Sequence, residues 1–136
     1  MSGVQERGFQ ERVLRSSVTH VAVAFLAMGS WAAFANSAHP MPAPLQAGVI
    51  QGAISGCITL FLKRGIELIA GNLQGLAALL APPVAAFIAS ASLLTAIHVA
   101  SGTPEVAATI AVPLCVSTGY AAIYSFALWR ARGLKS

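Results

Sequence analysis

Four stretches of the chain are nearly free of charged residues and alternate with short polar or basic segments. They cover residues 18–37, 44–62, 73–100 and 104–129. In an α-helix, about 20 residues rise roughly 30 Å, which is the thickness of the hydrocarbon core of a bilayer. The pattern therefore predicts an all-α integral membrane protein that folds as a four-span transmembrane helical bundle.

Prolines interrupt the third and fourth spans and fill the first connection. Pro82, Pro83 and Pro113 lack the amide hydrogen that a helical turn uses and crowd the turn before them. We therefore expect kinks in spans three and four. Residues 36–44 hold three more prolines, which favour a short extended loop, so that spans one and two are antiparallel neighbours.

The second span has the clearest internal pattern, with the sequence PLQAGVIQGAISGCITLFL over residues 44–62. Gly48, Gly52 and Gly56 recur at four-residue spacing, and Ser55 lies on the same side of the helix. This glycine face lets another helix backbone approach closely, while the larger apolar residues of the opposite side face lipid. The pattern predicts helix packing through this face, either inside the bundle or between subunits.

Composition and charge support the membrane interpretation and add an orientation. Of 136 residues, 57% are hydrophobic and 9% are charged, whereas soluble domains carry about 25% charged residues. All eight Lys and Arg lie before span one, between spans two and three, or after span four. The positive-inside rule then places both termini in the cytoplasm, in a multi-pass protein of the cell (inner) membrane.

The same charge distribution limits the partners. Basic residues form thin collars at helix ends rather than the continuous basic face of a nucleic-acid-binding protein. We therefore expect the lipid bilayer as the main partner, no nucleic acid, and a homo-oligomer or larger membrane complex if the glycine face is used between subunits.

The N-terminal region allows two interpretations. In the first, residues 1–16 are a cytoplasmic tail and residues 17–136 form a single four-helix transmembrane domain. In the second, the first arginines, the apolar residues 21–28 and the sequence Ala33-Phe34-Ala35 are the three parts of a cleaved signal peptide. The basic region is long for a signal peptide and contains acidic residues, which favours the first interpretation.

Uncharged polar residues suggest a second kind of site. Gln51 lies within the second span, where its amide must find hydrogen-bond partners. Asn36, Gln46 and His98 lie toward the same outer side of the bundle. Together the four residues form a candidate polar pocket that suits a neutral or lipid-like solute. The alternative role of Gln51 is to hold two helices together, and the sequence leaves both roles open.

The sequence contains no motif for catalysis or for metal binding. H-E-x-x-H, G-x-S-x-G and P-loop patterns are absent, and the two cysteines have no C-x-x-C spacing. His20 and His98 fall near opposite ends of the bundle, so they cannot share a haem. His39 and His98 fall on the same side but have no third ligand. We expect no enzyme activity, no catalytic residue, no metal and no cofactor.

Two functions fit these patterns. The first is a small non-enzymatic accessory or structural membrane protein that packs on itself or on a larger complex through the glycine face. The second is a small membrane facilitator or binding protein for a neutral or lipid-like solute, acting through the polar cluster. Ion-coupled transport fits less well, because the acidic residues near the membrane, Glu67 and Glu105, lie at span ends.

Overall fold

The computed structural model describes residues 2–135, except for the side chains of Ser2, Val13 and Leu14. The described chain forms four helices and no strand: α1 (Ser2–Ala35), α2 (Ala43–Gly71), α3 (Gly75–Ala100) and α4 (Val106–Lys135). Each helix is long and apolar enough to cross a membrane. The prediction of an all-helical chain with four candidate membrane spans is confirmed. The four helices support a multi-pass membrane protein.

The first helix is longer than the predicted first span. The predicted tail, residues 1–16, belongs to α1 from Ser2 onward instead of forming a separate element. The physical reason is that no proline occurs before Pro40, so nothing stops the helix between the tail and the span. The division into a tail and a single domain stays a prediction.

The second helix also runs past its predicted end, continuing beyond Leu62 so that only residues 72–74 connect it to α3. The reason lies in its buried stripe, because Ile66 and Ala70 continue that stripe at four-residue spacing. Ile66 packs in a small apolar core with residues of α3 and α4. The apolar residues after the second span therefore extend a helix rather than form a connection.

The four helices pack as two hairpins. α1 lies mainly against α2 and α3 mainly against α4, while α2 contacts both α3 and α4. The connections at residues 36–42 and 101–105 are at one end of the bundle, hereafter the loop end. The start of α1, the α2–α3 turn, the end of α4 and all eight Lys and Arg are at the other, hereafter the basic end.

Small residues form the buried faces of α3 and α4. Both faces repeat every four residues, with the buried positions Ala78, Pro82, Ala86, Ser90, Leu94 and His98 in α3 and Thr109, Pro113, Ser117, Ala121 and Ser125 in α4. Rows of residues four apart are the ridges through which helices most often pack. Large apolar side chains such as Phe61, Leu80 and Ile123 are left on the outside, as a lipid-facing surface requires.

Two prolines remain inside a continuous α3. Without amide hydrogens, Pro82 and Pro83 leave the carbonyl groups of Ala78 and Leu79 without their usual helical partners. Ser125 of α4 supplies a substitute, since its Oγ lies 3.1 Å from the Ala78 oxygen and 2.8 Å from the Leu79 oxygen. A neighbouring helix thus satisfies backbone groups that could find no water in a membrane. A kink at these prolines stays a prediction.

Candidate functional site

The glycine face of α2 lies against α1 of the same chain. Gly48, Gly52 and Gly56 are all buried. A Cβ atom on Gly52 would lie 2.9 Å from the carbonyl oxygen of Phe25, and one on Gly48 would lie 3.0 Å from that of Gly29. Contacts this close to a backbone leave no room for a side chain. While α1 stays in place, the glycine face is not available to a second subunit.

Ser55, the remaining residue of the glycine face, belongs to a chain of hydrogen bonds that joins α2 to α3. Gln51 and His98 are both fully buried, and the His98 Nε2 atom lies 2.8 Å from the Gln51 Oε1 atom. Since a carbonyl oxygen only accepts, the neutral ring carries its hydrogen on Nε2, and its Nδ1 accepts from the Thr103 hydroxyl at 2.8 Å. The Gln51 amide nitrogen donates to the Ser55 hydroxyl at 2.8 Å.

Asn36 makes a second set of hydrogen bonds, which joins α1 to the beginning of α4. Its fully buried amide nitrogen donates to the Thr109 hydroxyl and to the Ala32 carbonyl, both at 2.8 Å. Its oxygen accepts from the backbone N–H of Glu105 at 3.0 Å. The N–H groups at a helix start have no partner within the helix, so Asn36, the residue after α1, caps the beginning of α4. His39 also contacts the Glu105 carboxylate, at 3.0 Å.

The structure divides the four residues of the predicted polar pocket. Gln51 and His98 contact each other, Asn36 makes its contacts with α4, and Gln46 is exposed on the outside of α2. The three buried side chains are hydrogen-bonded to protein groups and have no exposed surface. A solute at this place would have to break those hydrogen bonds, so the arrangement holds helices together at the loop end.

A cavity of about 1100 Å³ lies on the basic side of this network. Its walls are formed by one face of each of three helices: α1 between Phe9 and Met28, α2 between Ser55 and Lys63, and α4 between Pro113 and Tyr124. Val116 and Tyr120 line it and are still 53% and 43% exposed, so the cavity opens on the surface of the bundle. This space is hereafter called the lateral groove.

Hydrogen bonds close the groove toward the loop end. The Trp31 indole nitrogen of α1 donates to the Ala108 carbonyl of α4 at 2.9 Å, and the Asn36 amide nitrogen donates to the hydroxyl of the next residue, Thr109, at 2.8 Å. These contacts join α1 to α4 above the groove. Nearer the basic end the two helices line opposite walls of the cavity. The groove is therefore a gap between two helices that are fastened at one end.

The lining of the groove changes from polar to apolar along its length. Arg12 and Lys63 line it at the basic end, whereas Ala27 and Met28 line it near the middle of the bundle. Two hydroxyl groups on the walls donate to backbone carbonyls of their own helices: Thr59 to Ser55 of α2 at 2.8 Å, and Ser117 to Leu114 of α4 at 3.2 Å. The deep part of the groove therefore offers a surface that suits hydrocarbon.

Sequence reasoning missed the groove, although α1 carried one signal of it. Arg12, Ser16, His20 and Ala24 recur at four-residue spacing and all line the groove. Such a stripe lies on one helix face and passes from basic to apolar. The basic residues were explained by membrane orientation alone, so the stripe was not connected to a site.

Metal binding finds no support in the described part of the chain, where no three His, Cys, Asp or Glu side chains come together. His39 is paired with Glu105, while His98 is bonded to Gln51 and Thr103. Comparison of the chain with known protein families, with curated proteins and with solved structures found no match. The geometry of the bundle is thus the basis for a functional proposal.

Proposed function

We propose that the protein is a small non-enzymatic membrane protein that binds a lipid-like solute in the lateral groove. The observation that carries this proposal is the groove itself, a space of about 1100 Å³ with a mainly apolar deep part. Ligand sites in proteins are concave, largely apolar spaces of about 300–1000 Å³. The groove has the size of such a site and opens on a surface that faces lipid.

The α2 and α4 walls of the groove match one leaflet of a bilayer, whereas the α1 wall, about 28 Å from Phe9 to Met28 at about 1.5 Å per residue, also extends to the headgroup level. Its α4 wall, residues 113–124, is about 17 Å long and its α2 wall, residues 55–63, is about 12 Å long, taking about 1.5 Å per residue. One leaflet contains about 15 Å of hydrocarbon, half of the bilayer core. An acyl chain that lies parallel to the helices can therefore enter sideways between α1 and α4.

The geometry gives less support to the accessory role through the glycine face. Packing Gly48, Gly52 and Gly56 against a second copy or a larger complex would require α1 to leave α2. The predicted pocket at Gln51 is also a poor solute site, because its polar groups are already hydrogen-bonded. The solute-binding hypothesis is therefore retained, with its site in the groove.

A photoactivatable phospholipid tests the proposal. The full-length protein is placed in nanodiscs that contain a phospholipid with a diazirine in its acyl chain, and the cross-linked peptides are identified by mass spectrometry. We expect adducts on the α4 residues that line the groove, Val116, Ser117 and Tyr120, in excess of those on exposed α4 residues outside it such as Ile123. Ala27→Phe, which places a phenyl ring in the apolar part of the groove, should lower their yield several-fold, whereas Ala22→Phe, an exposed position of α1 outside the groove, should not.

Two outcomes would contradict the proposal. One is an equal adduct yield on Val116, Ser117 and Tyr120 in the wild type and in Ala27→Phe. The other is cross-linking of the groove to a second copy of the chain in place of lipid, which would make the groove a subunit contact.

A further inference from the structure

We propose that the lateral groove selects an anionic phospholipid from the leaflet at the basic end, with the phosphate between Arg12 of α1 and Lys63 of α2. This inference rests on the lipid-binding function proposed above and adds the chemistry of the headgroup. It is carried by three features of the groove: the charge at its mouth, the depth of that charge in the membrane, and the apolar space behind it.

Positive charge faces the mouth of the groove from two helices. Arg12 and Lys63 line it, and no Asp or Glu is among its lining residues. The ion pairs of the described chain involve Glu67 and Glu105, so Arg12 has no acidic partner there. His20 lies about two turns deeper along the α1 wall.

Glu67 neutralises only part of this charge. Its carboxylate lies 3.9 Å from the Arg64 guanidinium and 4.0 Å from the Lys63 amine, and it accepts a hydrogen bond from the Tyr124 hydroxyl at 2.7 Å. Two basic groups, Lys63 and Arg64, therefore share one acid, and Arg12 has no ion-pair partner among the described residues. The mouth keeps an excess of positive charge that a single phosphate group would balance.

The depth of these residues matches a lipid headgroup. Lys63 lies about 20 residues from Ala43, the first residue of α2 at the loop end, and Arg15 lies about 20 residues from Ala35 at the loop end of α1. At about 1.5 Å per residue each distance is roughly 30 Å, the thickness of the hydrocarbon core. Lys63 is thus at the hydrocarbon boundary and Arg12 about one turn beyond it.

The space behind the charges requires an amphiphile rather than a small free anion. Tyr120 and Tyr124 stack with their ring centroids 5.8 Å apart on the α4 wall, and tyrosines favour the level between headgroups and hydrocarbon. Deeper in the groove, Ala27, Met28 and Val116 offer only apolar surface. A phosphate without acyl chains would leave this part of the groove empty.

Charge-matched lipids and variants test the inference. Two photoactivatable phospholipids with identical acyl diazirines are compared in nanodiscs of neutral lipid: one carries the anionic phosphatidylglycerol headgroup and the other the zwitterionic phosphatidylcholine headgroup. A Lys or Arg close to an anionic lipid contributes about fivefold in binding, equivalent to about 1 kcal/mol. We therefore expect groove adducts of the anionic lipid to exceed those of the zwitterionic lipid by about 25-fold.

Three double variants separate the charge from other effects. Arg12→Gln with Lys63→Gln should lower the ratio of anionic to zwitterionic adducts to about one. Arg12→Lys with Lys63→Arg should keep the ratio, because the charges remain. Arg15→Gln with Arg130→Gln removes the same net charge from residues outside the groove lining and should also leave the ratio nearly unchanged.

The possible failures can be told apart. If both lipids give equal groove adducts in the wild type, or both Gln double variants lower the ratio equally, headgroup selection is wrong while lipid binding in the groove stands. If neither lipid labels the groove, the proposed function fails together with this inference. Cross-linking to a second copy of the chain would likewise overturn both.

Discussion

Substitution of Gly52 by Ala measures how closely α1 and α2 approach each other. The new Cβ atom would lie 2.9 Å from the Phe25 carbonyl oxygen and 3.0 Å from two carbon atoms of the Phe25 ring. The ring can rotate, but the carbonyl belongs to the α1 backbone and moves only with the helix. The substitution therefore pushes the two helices apart, and such overpacking costs about 1–3 kcal/mol.

Gly65 is a matched control on the same helix. A Cβ atom there has no neighbour within 4 Å. Gly65→Ala should therefore show only the gain in helix propensity, about 1 kcal/mol. The same gain applies to Gly52→Ala, so the difference in unfolding free energy between the two variants isolates the packing effect, which we expect to be about 1–3 kcal/mol.

The assay is reversible unfolding in mixed micelles, in which sodium dodecyl sulfate is titrated against a mild detergent and helicity is followed by circular dichroism. Gly52→Ala should unfold at a lower mole fraction of dodecyl sulfate than Gly65→Ala. Equal midpoints would refute the close contact between α1 and the glycine face. A smaller oligomer without loss of stability would instead indicate that the glycine face joins subunits.

Two further substitutions test the polar contacts by the same unfolding assay. Ser125→Ala leaves two carbonyl groups of α3 without a donor and should lower the unfolding free energy by about 1–3 kcal/mol. Ser92→Ala, at an exposed position of α3, should change it by only a few tenths of a kcal/mol. Equal effects would show that Ser125 does not compensate for the hydrogen bonds that Pro82 and Pro83 remove. Gln51→Leu removes the hydrogen-bond partner of the His98 ring and should lower the unfolding free energy by about 0.6–2 kcal/mol while leaving lipid labelling of the groove intact. A loss of labelling without a loss of stability would instead place the solute site at Gln51.

The four spans could be predicted from the sequence because the thickness of the bilayer constrains their length and composition. A helix that crosses hydrocarbon needs about 20 apolar residues, and charges collect at its ends. The end of α2 was missed because Lys63 and Arg64 were interpreted as the end of the helix. Those charges mark a membrane boundary, whereas Ile66 continues the helix because it packs between α3 and α4.

The contacts of the candidate site residues could be predicted only in part from the sequence. Four-residue glycine spacing on α2 predicts that some backbone comes close, but Gly29 of α1 forms no motif that would identify the partner. Gln46 and Gln51 are five residues apart, about 140° around a helix at 100° per residue. A helical projection of the sequence therefore puts these two residues on different faces, which agrees with the exposed position of Gln46 and the buried position of Gln51.

The lateral groove was out of reach for a different reason. It is a gap between helices that are far apart in the sequence. Among the described residues, the hydrogen bonds that join α1 to α4 come from Trp31 and Asn36, near the loop end. Amphipathic patterns report which residues avoid lipid, not how two helices diverge. The stripe from Arg12 to Ala24 can be identified as one wall of a groove once the position of α4 is known.

Retention of lipid in the groove is the most direct test of the account. A photoreactive benzoylphenylalanine is placed at Val116, which lines the groove, or at Ile123, which is exposed on α4 outside it. The protein is extracted in detergent, washed free of bulk lipid and then irradiated. We predict a phospholipid adduct at Val116 and only detergent adducts at Ile123, whereas detergent alone at both positions would contradict a lipid-binding groove.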